Sequence, residues 1–369
     1  MKSVTSGVAR RAHIKTSAIE VLLCTVLVLT ATAARAAEST PKPFKLGTFD
    51  AQGRTFVGAV VDDALVVDLN AAVTALRRPA ASAPRDMRDL IARYDSGGRD
   101  LIAAAVAGAT GRTRPAYAIE LSKVRTLAPV MPLTMMNAAV NYYEHAAEMA
   151  GGGAAPTAAP PGTESVPGLW QRAPDDKRWN PYLFLKAPSA IIGTGEAIRI
   201  PPARDQIDWE CEMAVVIGKP ADHVPVSQAR EHVFGYTVHV DVSDRSGQRS
   251  TRFGSDWLVG KSHPTFAPLG PFIVPKEFVP DPQKLKITYT LNGSVMQDAD
   301  TSLMVHSVDE LVAYSSNILQ LQPGDVINTG SPAGVGYARK PPIFLKAGDR
   351  SSCTYASIGT LVNPVAGPR

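Results

Sequence analysis

Glu210 and Glu212 stand two residues apart in Asp208-Trp-Glu-Cys-Glu-Met-Ala-Val-Val-Ile-Gly218, a stretch that otherwise reads as a buried β-strand. Side chains at i and i+2 of a strand share a face, so both carboxylates aim at one spot. Burying two like charges side by side costs several kcal/mol unless a cation lies between them or one takes up a proton. A hard metal ion is the simplest solution. Further along, Gly235-Tyr-Thr-Val-His-Val-Asp-Val-Ser243 is a second apolar strand with an acid, Asp241, in its interior. Three carboxylates with no cysteine or imidazole among them suit an oxygen-loving ion, Mg²⁺ or Mn²⁺, with Ca²⁺ also compatible.

Asn141-Tyr-Tyr-Glu-His-Ala-Ala-Glu-Met149 offers a second polar group. In a helix, His145 and Glu148 lie one turn apart, where the carboxylate can orient the imidazole as a general base. The same spacing also fits a solvated helix face. A zinc site through His-x-x-Glu would need further ligands that the chain does not supply. Asn328-Thr-Gly-Ser-Pro-Ala-Gly-Val-Gly336 follows the strand-like Asp325-Val-Ile. Its backbone N–H groups and the Thr329 and Ser331 hydroxyls could approach a ligand anion, or the segment could simply be a tight turn. Without the lysine of a phosphate-binding loop, it does not imply ATP. Lys186 and Lys261 stand inside apolar segments, where they either snorkel to the surface or balance the charge of the acids and grip a carboxylate.

These groups need elements to hold them. A chain of 369 residues with 45% hydrophobic content can fill the cores of two ordinary domains. Residues 44–69 alternate as short strands with turns at Asp50-Ala-Gln-Gly53 and Asp62-Asp63, and a helical stretch runs around 87–107. This predicts a small N-terminal α+β domain over 37–130. Residues 131–369 form the larger, mainly β domain, with short helices expected at 227–233 and 307–319. The Gly/Ala/Pro-rich segment from 150 to 180 reads as a flexible lid or insertion.

The first 36 residues read as a secretory signal peptide: Arg10, Arg11 and Lys15 precede the apolar run from Val21 to Leu29, and Ala34-Arg35-Ala36 supplies small residues for cleavage. The Arg10-Arg11 pair loosely fits the twin-arginine export pattern. Periplasmic localisation is the expectation. The leader holds five basic residues and one acid, so the remainder carries 33 of each and no formal charge. Nucleic acid and membrane surfaces are therefore not implied as partners. Outside the leader only Cys211 and Cys353 remain. Cys211 faces away from the two glutamates, which predicts a buried inert thiol rather than a disulfide.

Taken in order, Asn141-Tyr-x-x-His145-x-x-Glu148, Phe184-x-Lys186, Asp208-x-Glu210-x-Glu212, Gly235-Tyr-Thr with Asp241-Val-Ser and Arg245, Gly260-Lys261, Thr265-Phe-x-Pro-Leu-Gly270-Pro, Thr329-Gly-Ser331-Pro-Ala-Gly-Val-Gly336 and Ile358-Gly-Thr-Leu-x-Asn-Pro364 resemble the fumarylacetoacetate hydrolase family. The resemblance implies an α+β, predominantly β fold, a mixed β-sandwich roll preceded by a small N-terminal domain, and a homodimer. Glu210, Glu212 and Asp241 would hold the metal, and His145 with Glu148 would form the water-activating dyad. Lys186, Arg245, Gln248, Lys261, Thr329 and Ser331 would contact a small 2-oxo or diketo acid. The implied reaction is metal-dependent hydrolysis of a C–C bond in an acylpyruvate or fumarylpyruvate-type acid. Alternatives with the same grip are decarboxylation of an oxo acid and isomerisation or hydration of unsaturated 2-oxo acids. A non-catalytic metal–dicarboxylate binding protein is the alternative of another class. Three positions depart from the family pattern: Ser246 follows Arg245, His263-Pro264 follows Lys261-Ser, and Ser331 replaces a threonine. All three bear on specificity rather than on metal binding.

Overall fold

A computed structural model of the chain describes residues 42–151, 166–173, 175–250, 252 and 254–368. The expected leader lies outside these residues, as does much of the expected lid. The chain opens with β1 (Lys45–Ala51), β2 (Arg54–Val61) and β3 (Leu65–Asp68). Gln52 and Gly53 both have positive φ, 53° and 86°, which closes the β1–β2 hairpin through the kind of two-residue turn that glycine favours. Helices α1 (Leu69–Ala75), α2 (Met87–Ala92) and α3 (Arg99–Ala109) follow. Where a single helical stretch was expected, the chain breaks at Gly97, whose φ is 124°.

Beyond β4 (Ala118–Glu120) come β5 (Met135–Ala139), α4 (Tyr143–Met149), β6 (Tyr182–Leu185), β7 (Cys211–Ile217), α5 (Val226–His232), β8 (Val233–Val240), α6 (Trp257–Lys261) and β9 (Ala267–Pro275). The chain then forms β10 (Lys286–Leu291), β11 (Ser294–Asp300), α7 (Val308–Ser316), β12 (Val326–Asn328), β13 (Arg350–Tyr355) and β14 (Gly359–Ala366). Helix α7 begins in a capping box of Ser307 and Glu310. The five-residue α6 was not anticipated.

Strands pair in the order β4-β3-β2-β1-β9-β8-β7-β12-β5-β6 within a 12-stranded sheet, and β11-β10-β13-β14 belong to a second sheet of five. Leu46 of β1 pairs with Ile273 of β9, so the sheet continues across the border expected near residue 130. The fold is α+β and predominantly β.

Every residue of β7 is buried, because both faces of the sheet are covered. Cys211, Met213, Val215 and Ile217 face a core shared with Tyr289, Tyr355 and Leu361 of the five-stranded sheet. Ala214 and Val216 face a second core built with Leu46, Val57, Leu90 and Ile102. By the same period of two, Glu210 and Glu212 continue this second face at the end of the strand.

Cys211 is not a free thiol. It forms a disulfide with Cys353 of β13, their Cα atoms 5.6 Å apart and 142 positions apart in sequence. The expectation of an inert thiol is corrected. Its premise was right, since Cys211 does point away from the glutamates, but the second sheet lies on that side and brings Cys353 to it.

Candidate active site

The β7–β8 ladder aligns the acids. Cys211 pairs with Val240 and Glu212 with His239, and one step further the Asp241 N–H donates to the Glu210 carbonyl at 2.8 Å. Glu210 and Asp241 therefore face each other at the end of the ladder, with Glu212 diagonal to them. One ligand oxygen from each can lie within 4.8 Å of the others, and all three side chains are buried.

Cations surround this cluster. Lys261 Nζ bridges Glu210 Oε2 at 2.8 Å and Asp241 Oδ2 at 2.6 Å. Lys186 Nζ bonds Asp241 Oδ1, and also donates to the Val242 carbonyl at 3.0 Å. Arg245 Nη2 reaches Glu210 Oε1 at 2.6 Å. Neither lysine snorkels: both are only 1% exposed.

The cations divide unevenly among the acids. Burial alone would raise Glu210, but Lys261 and Arg245 hold it well below the usual carboxylate range. Glu212 is pushed well above that range by burial, with the charges of Asp241 and Glu210 adding to the effect. Its bond from the Gly330 N–H, at 3.0 Å, does not offset them. Burial also brings Lys186 down to about 8, with Lys261 contributing in the same direction and Asp241 opposing. A third buried carboxylate with no cation of its own is the charge pattern that a divalent ion would complete, and an all-oxygen donor set suits a hard ion. These residues fit Mg²⁺ or Mn²⁺.

Below the acids, Pro268 O accepts from His239 Nδ1 at 2.9 Å. The other ring nitrogen, Nε2, then accepts from Asn137 Nδ2 at 3.2 Å, and Asn137 Oδ1 accepts from Asn328 Nδ2 at 2.9 Å. This chain ties β9, β8, β5 and β12 together beneath the site. Burial, reinforced by Lys186, holds His239 well below the ordinary histidine range, so it stays neutral.

Helix α4 brings in the second group. His145 is 4% exposed, and its Nδ1 donates to Glu148 Oε1 at 2.6 Å. The solvated-face alternative for this helix is therefore excluded. Glu148 Oε2 accepts from the Gly334 N–H at 2.9 Å. Asn141 sets the start of the helix by donating to the carbonyls of His306 and Thr329, each at 2.9 Å, and accepting from the His306 N–H at 2.8 Å. Glu148 and Glu212 accept from N–H groups of the same loop, Gly334 and Gly330, which brings the candidate dyad and the acidic cluster to one end of the sheet.

The remaining candidates are placed as follows. Ser331 Oγ accepts from Gln297 Nε2 at 2.8 Å. Buried Thr329 Oγ1 and Gln248 Nε2 have no hydrogen-bond partner among the described residues. The N–H groups of Gly330, Gly334 and Gly336 point not at open space for a ligand anion but at the protein's own Glu212, Glu148 and Asp208. Asp208 was quoted in the sequence motif without a role, as was Asn141. Nothing local marks Asn141, whose partners His306 and Thr329 lie more than a hundred residues away, and Asp208 draws its loop partners, Gly336 and Tyr337, from as far.

The family model described as "Fumarylacetoacetate (FAA) hydrolase C-terminal" matches residues 134–366, which include every residue of this site. The chain belongs to the fumarylacetoacetate hydrolase family. Among curated relatives, the protein named oxaloacetate tautomerase FAHD2A, mitochondrial, of Bos taurus is 46% identical over 185 residues, covering 50% of this chain. The match spans 59% of that relative's own length. Among solved structures, 5-carboxymethyl-2-hydroxymuconate delta-isomerase from Mycobacterium smegmatis is 31% identical with a TM-score of 0.61, over 88% of this chain and 99% of that one. Fumarylacetoacetate hydrolase from Exiguobacterium antarcticum is 28% identical with a TM-score of 0.66, again over 88% and 99%.

The comparisons overturn the expected localisation. The curated relative is mitochondrial by name, and periplasmic export, which rested on residues 1–36, is withdrawn. Membership supports an enzyme of this family without singling out C–C hydrolysis, and relatives named as a tautomerase and an isomerase fall nearer the isomerisation alternative.

Proposed function

We propose that the protein is a divalent-metal-dependent enzyme that moves a proton within a 2-oxo dicarboxylic acid, interconverting the keto and enol forms of an oxaloacetate-type substrate. The observation that carries this reading is the oriented His145–Glu148 pair, held by the same loop that binds Glu212 of the three-carboxylate cluster. A protein that only binds a metal–dicarboxylate has no use for an oriented base.

Glu210, Glu212 and Asp241 would hold Mg²⁺ or Mn²⁺, which when bound supplies Lewis-acid polarisation of the 2-oxo group. With its Nδ1 proton donated to Glu148, His145 presents the Nε2 lone pair. That nitrogen takes a proton from the carbon next to the oxo group, the C–H electron pair becomes the C=C bond of the enol, the C=O π pair moves onto the oxygen, and the imidazolium returns its proton to that oxygen. The return path uses the same groups in reverse. Glu148 stabilises the imidazolium formed in between and is itself fixed by the Gly334 N–H. Four buried carboxylates, Asp208 included, face three cations, Lys186, Lys261 and Arg245; a divalent ion makes the balance positive, as a dianionic substrate requires. Arg245, Lys186, Lys261, Gln248, Thr329 and Ser331 are assigned to that substrate.

A second reading, hydrolysis of a C–C bond in an acylpyruvate, uses the same dyad to take a proton from water. The likeness to fumarylacetoacetate hydrolase supports it. We assign the chemistry to residues 131–369, acting as a homodimer. The exposed apolar side chains of Leu133, Tyr182, Leu185 and Leu258 support self-association, with β6 at the edge of the sheet. Light scattering would test the homodimer.

Tautomerisation is tested by following decay of the enol absorbance of freshly dissolved oxaloacetate with Mg²⁺ and purified protein. Faster decay without release of CO₂ or pyruvate supports the proposal. CO₂ release would indicate decarboxylation, and pyruvate released from acylpyruvates would indicate hydrolysis.

A further inference from the structure

One loop organises three carboxylates. After β12, the Gly330 N–H donates to Glu212, the Gly334 N–H to Glu148, and the N–H groups of Gly336 and Tyr337 to Asp208, at 2.7 and 3.0 Å for the last two. Glu212 belongs to the metal cluster and Glu148 to the base. Asp208 has no part in the proposed chemistry, yet it is fully buried and makes more polar contacts than either. Its Oδ1 also accepts from the Trp209 N–H at 2.8 Å, and its Oδ2 takes Arg245 Nε at 2.9 Å and Nη2 at 2.8 Å. The loop presses closely here: a Cβ on Gly336 would lie 2.7 Å from Asp208 Oδ1 and 1.9 Å from the Ile343 carbonyl.

Arg245 is thereby clamped. Its Nε and Nη2 are bound to Asp208 and Glu210, and the Tyr337 ring lies 5.9 Å from its Cζ. A planar guanidinium held along one edge keeps a fixed direction for its remaining donors, which suits recognition of a carboxylate. A lysine could not be held in this way.

We infer that Asp208 is a positioning residue: it aims Arg245 at a substrate carboxylate and keeps it in register with the loop whose N–H groups hold Glu212 and Glu148. The inference rests on the reading of the pocket as a 2-oxo dicarboxylate site, and it adds what sets the direction of the arginine. A bare structural cap on the loop would hold the backbone but leave ligand recognition unchanged relative to metal binding.

Asp208→Asn separates the two roles. The amide oxygen can still accept from the Gly336 N–H, while the amide NH₂ opposes Tyr337 N–H and Arg245. Oxalate is the probe, measured by calorimetry on Mg²⁺-loaded protein. Its affinity should fall about tenfold, as loss of one charged hydrogen bond implies. Mn²⁺ affinity, by EPR titration, should stay within about threefold, and KM should rise about tenfold with kcat within about threefold. Arg245→Lys should weaken oxalate by a similar factor, and the double variant should lose little more than either single one. Unchanged oxalate binding in Asp208→Asn, additive losses in the double variant, or a parallel fall in metal and oxalate affinity would overturn the inference. Should Asp208→Asn fail to fold, Arg245→Lys alone decides, and wild-type oxalate affinity in that variant overturns it. A wild-type protein that binds oxalate but catalyses no tautomerisation would overturn the proposed reaction and leave this assignment standing.

Discussion

Glu210, Glu212 and Asp241 sit at the end of the β7–β8 ladder, where backbone hydrogen bonds, two cores and a disulfide hold the strands. His145 and Glu148 sit on a helix of seven residues, too short to be stable alone, and depend on side-chain contacts with Asn141 and the Gly334 N–H. The proposed metal ligands are thus placed by the sheet itself, and the proposed base by a few replaceable bonds. An ion needs its ligands in place before it binds, whereas a base must adjust to a substrate as it enters. Each half of the site should therefore fail in its own way.

The largest effect is expected at the sheet. Glu212→Ala should abolish Mg²⁺ and Mn²⁺ binding and lower turnover about a thousandfold or more, because no protein group replaces the Lewis acid. Calorimetry with either ion checks this, and chelation of the wild type should reproduce the activity loss until Mg²⁺ is restored. Full activity of the variant in chelator would remove the contrast altogether.

At the helix, His145→Ala should leave the binding of metal and oxalate intact while lowering kcat roughly a hundredfold, as loss of a general base does. A variant that lost metal affinity to the same degree would show that the two halves are one unit. Glu148→Gln sharpens the comparison: it keeps an oxygen for Gly334 but cannot stabilise the imidazolium as a carboxylate does, so kcat should fall about tenfold. Steady-state kinetics at saturating substrate measures both.

The smallest catalytic effect is expected at the disulfide. Cys353→Ser should cost about 2–4 kcal/mol in denaturant unfolding, since the bridge closes a long loop. Mg²⁺ affinity should change less than about threefold, because the β7–β8 ladder still aligns the acids. A large loss of metal affinity would mean that the disulfide, and not the ladder, sets the ligand geometry.

Much of this was legible in the chain. The two-residue spacing of Glu210 and Glu212, with Asp241 in a second strand, correctly placed three acids together, and the three-residue spacing of His145 and Glu148 described a real pair. The β1–β3 hairpins and helices α5 and α7 fell within a few residues of expectation. What was missed shares one property. The Cys211–Cys353 bridge, the neutral His239–Asn137–Asn328 chain and the Asp208–Arg245 clamp each join residues that carry no local pattern. The glycine-rich loop was left open between an anion-binding loop and a tight turn; three of its N–H groups do bind anions, but these are the protein's own side chains.

What the sequence determined by itself is therefore which groups share a face, because periods of 2.0 and 3.6 residues are properties of the backbone and hold wherever a strand or helix forms. Only the tertiary structure decided which faces meet. The pairing of Lys186 and Lys261 with Asp241 turned two ambiguous lysines into counter-charges, and the register of β7 against β8 put Asp241 opposite Glu210. Such partners are chosen by packing and by the cost of leaving a buried charge uncompensated, and that cost exists only once the chain has folded around it.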